Sequence, residues 1–130
     1  QAIPPRFDAT WFALQDENRQ DLYDRIDHRV DLMRELGLMA EIHKLLEEGI
    51  PEKCTAMQAI GYKELLPYLR KEATSEDAVT ELKTATRRYA KRQLTWFRRN
   101  PNIHWLRRAP GEGTHEILMK ARQVLADFDK

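Results

Sequence analysis

The segment Lys91-Arg92-Gln93-Leu94-Thr95-Trp96-Phe97-Arg98-Arg99 packs cations, an amide, a hydroxyl and two aromatic rings into little more than two helical turns. Lys and Arg neutralise phosphates, and Arg and Gln also hydrogen-bond base edges. An aromatic ring stacks on an unpaired base for about 1–3 kcal/mol. The combination suits a single-stranded RNA loop better than a duplex, whose bases are stacked and paired away from such side chains. Core packing competes for the apolar members. Leu94, Trp96 and Phe97 are expected inside, with the cations flanking them.

Two further segments carry weaker signals. In Gln58-Ala59-Ile60-Gly61-Tyr62-Lys63 a glycine stands between two helical pieces. A glycine there allows a close backbone approach and can leave amides open to an anion. Tyr62 and Lys63 would extend that surface, although a glycine between helices is more often plain punctuation. In Arg25-Ile26-Asp27-His28-Arg29 the two arginines are four apart and share a helix face. Two guanidinium forks on one face suit a diphosphate. Surface ion pairs with Asp21, Asp24 or Asp31 are the competing expectation.

Charge distribution sharpens the first signal. The 130 residues carry a net charge of only +1, from 22 Lys and Arg against 21 Asp and Glu. Yet between Leu82 and Gly111 stand nine cations and no carboxylate: Lys83, Arg87, Arg88, Lys91, Arg92, Arg98, Arg99, Arg107 and Arg108. Ordinary solvated faces mix both signs, so an acid-free run favours a polyanionic partner. Other chemistries lack support. The five glycines form no phosphate-binding loop. The four histidines are scattered and Cys54 is alone, which argues against zinc and an internal disulfide, and for a reducing, cytoplasmic setting. No apolar run could span a bilayer, and no secretory leader is visible. A peripheral membrane helix fits poorly, because Thr86, Gln93 and Thr95 interrupt the apolar side of the basic segment.

The elements that must position these residues are mostly helical. Phe7–Leu14 is expected as a strand. Asp16 or Asn18 caps a helix with the stripe Leu22, Ile26, Val30, Met33 and Leu36, stopped or kinked at Gly37. A second helix carries Leu38, Ile42, Leu45 and Leu46 and ends at Gly49. Thr55–Ile60 reads as a short helix, and Tyr62–Arg70 as another that Pro67 bends. Thr74, with Asp77 three residues on, caps the longest helix, Ser75–Arg99. Its core stripe is Val79, Leu82, Thr86, Tyr89, Gln93 and Trp96 or Phe97, with Arg88, Arg92, Thr95 and Arg99 on one side. Asn102–Leu106 is a second strand. Thr114 caps a last helix burying Ile117, Leu118, Ala121, Val124, Leu125 and Phe128. The fold class is mostly α with one or two short strands, and two strands make a poor sheet by themselves.

Met57-Gln58-Ala59-Ile60-Gly61-Tyr62-Lys63-Glu64, followed by Thr86-Arg87-Arg88-Tyr89-Ala90-Lys91-Arg92-Gln93-Leu94-Thr95-Trp96-Phe97-Arg98, resembles the C-terminal part of bacterial tRNA dimethylallyltransferases, also called isopentenyl-diphosphate:tRNA transferases. The run Leu22–Val30, with Met33, Gly37-Leu38 and Glu41, is similar to the family segment just before these motifs. The likeness spans about Phe7–Leu106. It implies a P-loop-type α/β fold. It implies transfer of a dimethylallyl group from dimethylallyl diphosphate to the exocyclic amine of the adenine 3′ of the tRNA anticodon. Magnesium would help neutralise the departing diphosphate. The adenine would leave its stack to react, as in other base-modifying enzymes. By the same likeness, Gln58–Lys63 and Lys91–Arg98 contact the tRNA anticodon stem-loop, and Arg25, or else Arg29, holds the diphosphate.

The departure from the family pattern is large. The Gly-rich phosphate loop, the general-base aspartate and the tRNA-facing insertion domain are not in these residues. The expectation is therefore a single C-terminal fragment over 1–130, with no catalytic residue or metal ligand of its own and magnesium held mainly by the remaining portion. A stand-alone helical nucleic-acid-binding module is the alternative.

Overall fold

A computed structural model describes residues 3–128. In chain order it holds β1 (Trp11–Asp16), α1 (Arg19–Glu35), α2 (Leu38–Glu47), a 3-10 turn (Ala56–Gln58), α3 (Leu66–Leu69), α4 (Ser75–Phe97), β2 (Ile103–Arg108) and α5 (Thr114–Phe128). These fall into two compact units. One is Leu22–Lys91; the other joins residues up to Asp21 with those from Arg92 on.

The Leu22–Lys91 unit owns the main core. Val30 of α1, Ile42 of α2, Met57, Leu65, Leu66 and Ala78, Val79 and Leu82 of α4 form one buried cluster, with Met33, Leu38, Tyr62 and Tyr68 packed around it. Asn18 does cap α1, its Oδ1 accepting the Gln20 N–H at 2.8 Å. The α1 stripe ends early. Leu36 is exposed because the helix stops at Glu35 and the chain turns through Gly37 at φ 100°, a left-handed conformation that glycine adopts without a Cβ penalty.

Two helices are shorter than the sequence suggests. Over Thr55–Ile60 only Ala56–Gln58 is helical, because the bonds there run three residues back: Met57 N–H to Cys54 at 3.1 Å and Gln58 N–H to Thr55 at 3.1 Å. Over Tyr62–Arg70 only Leu66–Leu69 is α-helical. Pro67 starts that helix rather than bending it, since a first-turn residue needs no N–H. The cap of α4 is as expected, with Thr74 Oγ1 accepting the Asp77 N–H at 3.1 Å. Its end is not. The helix closes at Phe97, and the N–H groups of Arg99 and Asn100 make three-back turn bonds to Trp96 and Phe97 before Pro101.

In the other unit β1 and β2 pair in parallel from Trp11↔Ile103 to Asp16↔Arg108. The first strand starts later than the aromatic run Phe7–Leu14 suggests, because its partner begins only at Ile103 and offers nothing opposite residues 7–10. α5 packs on β2. It is capped by Gly113 rather than Thr114: the Gly113 N–H donates to Glu116 Oε2 at 2.8 Å and its carbonyl accepts the Ile117 N–H. Ile117, Ala121 and Val124 are half-buried, whereas Leu118, Leu125 and Phe128 are exposed, since the two-stranded sheet is too narrow to cover a whole helix face. His104 sits between Phe12 and Phe128, at 6.0 and 5.3 Å between ring centroids.

The turn between β2 and α5 is pinned by one carboxylate. Glu112 Oε2 accepts from Lys120 Nζ at 2.6 Å and from the Ala109 N–H at 2.9 Å. Lys120, and then the Ala109 amide, hold its carboxyl below the usual range. A depressed carboxyl contributes stability above its ordinary pKa and loses it as pH falls through the lowered value. Ala109 amide exchange is therefore predicted to be slow at neutral pH and to gain speed below the ordinary carboxylate range, beyond the intrinsic pH trend; Glu112→Gln should flatten that gain. In the other unit, Leu82→Ala should cost about 2–5 kcal/mol by urea unfolding, while Leu125→Ala stays within roughly 0.5 kcal/mol.

Candidate nucleic-acid interface

The acid-free cations divide into two groups. On α1, Asp27, Asp31 and Arg34 are four and three residues apart and share a face. They meet α4 in reverse order. Asp27 pairs with Arg87, Asp31 with Lys83 at 2.8 Å, and Arg34 with Glu76 at 3.1 Å, where it also bonds the Ser75 hydroxyl. Arg87 additionally lies 5.2 Å over the Tyr23 ring. Asp27 Oδ1 and Arg87 Nε are buried without a hydrogen-bond partner among the described residues. Lys83 and Arg87 are thus structural, and the run from Leu82 to Gly111 does not serve an anion along its whole length. Arg108 is held as well, its Nε donating to the Glu112 carbonyl at 2.7 Å. Arg88, Lys91, Arg92, Arg98, Arg99 and Arg107 remain exposed. Lys91, Arg92 and Thr95 do have interactions within the protein.

The aromatics at the end of α4 overturn the expected core stripe. Tyr89, Gln93 and Trp96 are exposed, Trp96 to 63% and Phe97 to 37%. The buried cluster takes nothing from α4 beyond Leu82. Trp96 and Phe97 meet edge to face at 5.1 Å, so each ring steadies the other. Leu94 is half-buried beside them.

The segment Gln58–Lys63 is a fastened turn. Gly61 has φ 107°, and a Cβ built on it would meet nothing within 4 Å. The glycine is required by the left-handed backbone there, and no part of the protein itself crowds the position. Its amide is also not open to an anion, because it donates to Glu64 Oε2 at 2.9 Å. Tyr62 packs on the core and donates its hydroxyl to Glu41 of α2, which pushes the phenol pKa up. Gln58 Nε2 donates to the Glu52 carbonyl at 3.1 Å, and Glu52 is itself paired with Arg70. Ala59, Ile60 and Lys63 face outward. Glu41 and Glu64 carry the turn, and of the two only Glu64 had a local signal, its place three residues after Gly61.

Arg25 and Arg29 are exposed one turn apart on α1, and Arg25 has an interaction within the protein. Asp31, a candidate partner for them, belongs to Lys83. Among the described residues no three His, Cys, Asp or Glu side chains gather to hold a metal, and no helix is long and apolar enough to cross a membrane.

The exposed cations and rings on α4 and the fastened turn at Gly61 lie in segments shared with known proteins. A family model described as IPP transferase matches residues 1–100. The chain belongs to that family. A tRNA dimethylallyltransferase of Acetivibrio thermocellus is 45% identical over 125 residues, covering 96% of this chain and 40% of the relative. One from Bacillus cereus is 54% identical over 101 residues, covering 78% of this chain and 32% of the relative. A solved tRNA isopentenylpyrophosphate transferase of Bacillus halodurans superposes with a TM-score of 0.85 at 39% identity, over 97% of this chain and 41% of that one. The chain therefore spans between 32% and 41% of the length of these relatives. A mostly helical piece with two parallel strands agrees with a C-terminal portion of that fold. An independent nucleic-acid-binding module is not favoured.

Two sets of variants test the division of roles. Arg87→Ala and Lys83→Ala should lower the thermal midpoint, whereas Arg98→Ala and Arg99→Ala should leave it unchanged. Gly61→Ala and Gly61→Val should both destabilise by roughly 1–3 kcal/mol, the usual scale of backbone strain. Harm confined to valine would point to crowding instead of strain.

Proposed function

We propose that this chain supplies the anticodon-loop seat of an enzyme that transfers a dimethylallyl group from dimethylallyl diphosphate to the exocyclic amine of the adenine 3′ of a tRNA anticodon. Membership of the IPP transferase family supports the reaction class. The observation that carries the seat is the exposed end of α4, where Trp96 and Phe97 stand among Lys91, Arg92, Arg98 and Arg99 without a carboxylate in that stretch of sequence.

Each group then has a task. Lys91, Arg92 and Arg98 neutralise loop phosphates, and Gln93 and Thr95 add neutral hydrogen bonds. Trp96 and Phe97 stack on bases lifted from the loop. The turn Gln58–Lys63 presents Ala59, Ile60 and Lys63 on a rigid backbone. Arg25 and Arg29 hold the diphosphate end of the prenyl donor. Pulling the adenine from its stack exposes the amine, and the leaving diphosphate is drawn off by cations. Among the described residues no cluster of ligands gathers to hold the magnesium implied for that departure.

In this account the P-loop portion, the general base and the insertion domain belong to the remainder of the enzyme. The 130-residue chain should bind an anticodon stem-loop RNA and show no turnover with tRNA and dimethylallyl diphosphate. Arg98→Ala should weaken binding and lower the salt slope by about one, the signature of a lost phosphate contact. Binding indifferent to salt, or no preference for the stem-loop over its duplex stem, would overturn the proposal.

A further inference from the structure

We propose that Glu64 is a positioning residue for RNA binding: its buried carboxyl sets the Gly61 turn so that Ile60 and Lys63 are presented to the loop. This rests on the reading of Gln58–Lys63 as part of the tRNA seat. Glu64 is the only buried charged residue among those described, with its side chain 5% exposed. Such residues are rarely buried without a specific partner. The partner here is not a cation within bonding distance, since Lys63 Nζ is 4.0 Å away. It is the Gly61 amide, donating to Oε2 at 2.9 Å. Oε1, the oxygen nearest Lys63, has no hydrogen-bond partner among the described residues.

This single bond does two jobs. It satisfies a buried backbone N–H at the point where the chain takes φ 107°. It also removes that amide from use as an anion donor, so the turn offers side chains in place of amides. The turn is held at three points: Gln58 to the Glu52 carbonyl, Gly61 to Glu64 and Tyr62 to Glu41. Between the first two stands Ile60, an apolar side chain exposed on a fixed backbone. A fixed apolar side chain suits wedging against an unstacked base. Without Glu64 the segment would sample other conformations, and the ordering cost would fall on RNA binding.

The sign of the effect separates positioning from simple electrostatics. Removing a carboxylate beside an RNA seat should strengthen binding through charge alone. Loss of the Gly61 clamp should weaken it. The experiment measures anticodon stem-loop RNA binding by fluorescence anisotropy for the 130-residue chain as wild type, Glu64→Gln, Glu64→Leu and Leu65→Ala. Glu64→Gln keeps an acceptor oxygen and should stay within twofold of wild type. Glu64→Leu should lose about tenfold in affinity with an unchanged salt slope, and Gly61 amide exchange should speed up. Leu65→Ala removes a core side chain next door without touching the clamp, and should keep its affinity well below its own unfolding temperature. Equal or tighter binding by Glu64→Leu overturns the inference, as does an equal loss in Leu65→Ala. If Glu64→Leu does not fold, Glu64→Gln carries the test through Gly61 exchange: slow exchange with wild-type affinity supports the clamp, and fast exchange with wild-type affinity refutes it. A wild-type chain that fails to bind the stem-loop at all refutes the underlying seat instead.

Discussion

Asp27 and Asp31 on α1 decide what the basic run of α4 can do. Each removes one cation from the acid-free stretch, Arg87 and Lys83, and spends it on holding two helices in antiparallel order. Partly exposed pairs of this kind contribute only about 0.2–1 kcal/mol each. Their value lies in register. With Arg34 and Glu76 they set α1 against α4 at three levels, on the margin of a core that already includes Val30 and Leu82. Beyond Arg87, the side chains of Arg88, Tyr89, Lys91, Arg92, Gln93 and Trp96 are exposed. A single helix thus carries a first half that supplies the core and the pairs to Asp31 and Asp27, and a second half richer in exposed side chains.

The same division explains the aromatics. Trp96 and Phe97 are exposed, and the last α4 member of the buried cluster is Leu82. Exposed aromatic rings among cations are costly to leave in water unless a flat, anionic partner covers them, and an unstacked RNA loop has both properties. The two-stranded parallel sheet has a comparable imbalance. Parallel strands are normally covered on both faces, yet Trp11 and Leu14 of β1 are exposed. A chain matching between 32% and 41% of its relatives' length would be expected to leave such faces for the rest of the enzyme.

Much of this was legible in the sequence because it was local. A cap at Asp16 or Asn18, the Thr74 cap, the stop at Gly37, Val30 and Ile42 on the apolar sides of two helices and a strand at Asn102–Leu106 all follow from neighbours in the chain. What escaped depended on distant partners. The start of β1 is set by where β2 begins, so the aromatic run at Phe7 misled. Periodicity placed Tyr89 and Trp96 on the stripe of Leu82, but periodicity cannot tell where a neighbouring core ends. The glycine at position 61 stood out for its type. Its left-handed turn and the Glu64 clamp on its amide needed the dihedral and the bond. The paired motifs at Gln58–Lys63 and Lys91–Arg98 were the most specific signal for the family.

The central claim is that α4 divides its cations between α1 and an RNA loop. Arginine-specific modification by phenylglyoxal, mapped by mass spectrometry with and without an anticodon stem-loop RNA, tests it residue by residue. Arg98 and Arg99 should react readily in the free chain and be protected by the RNA, Arg92 should become less reactive when the RNA binds, and Arg87 should react slowly in both. Protection of Arg87 alone, or RNA that leaves Arg92 and Arg98 as reactive as before, would contradict the account.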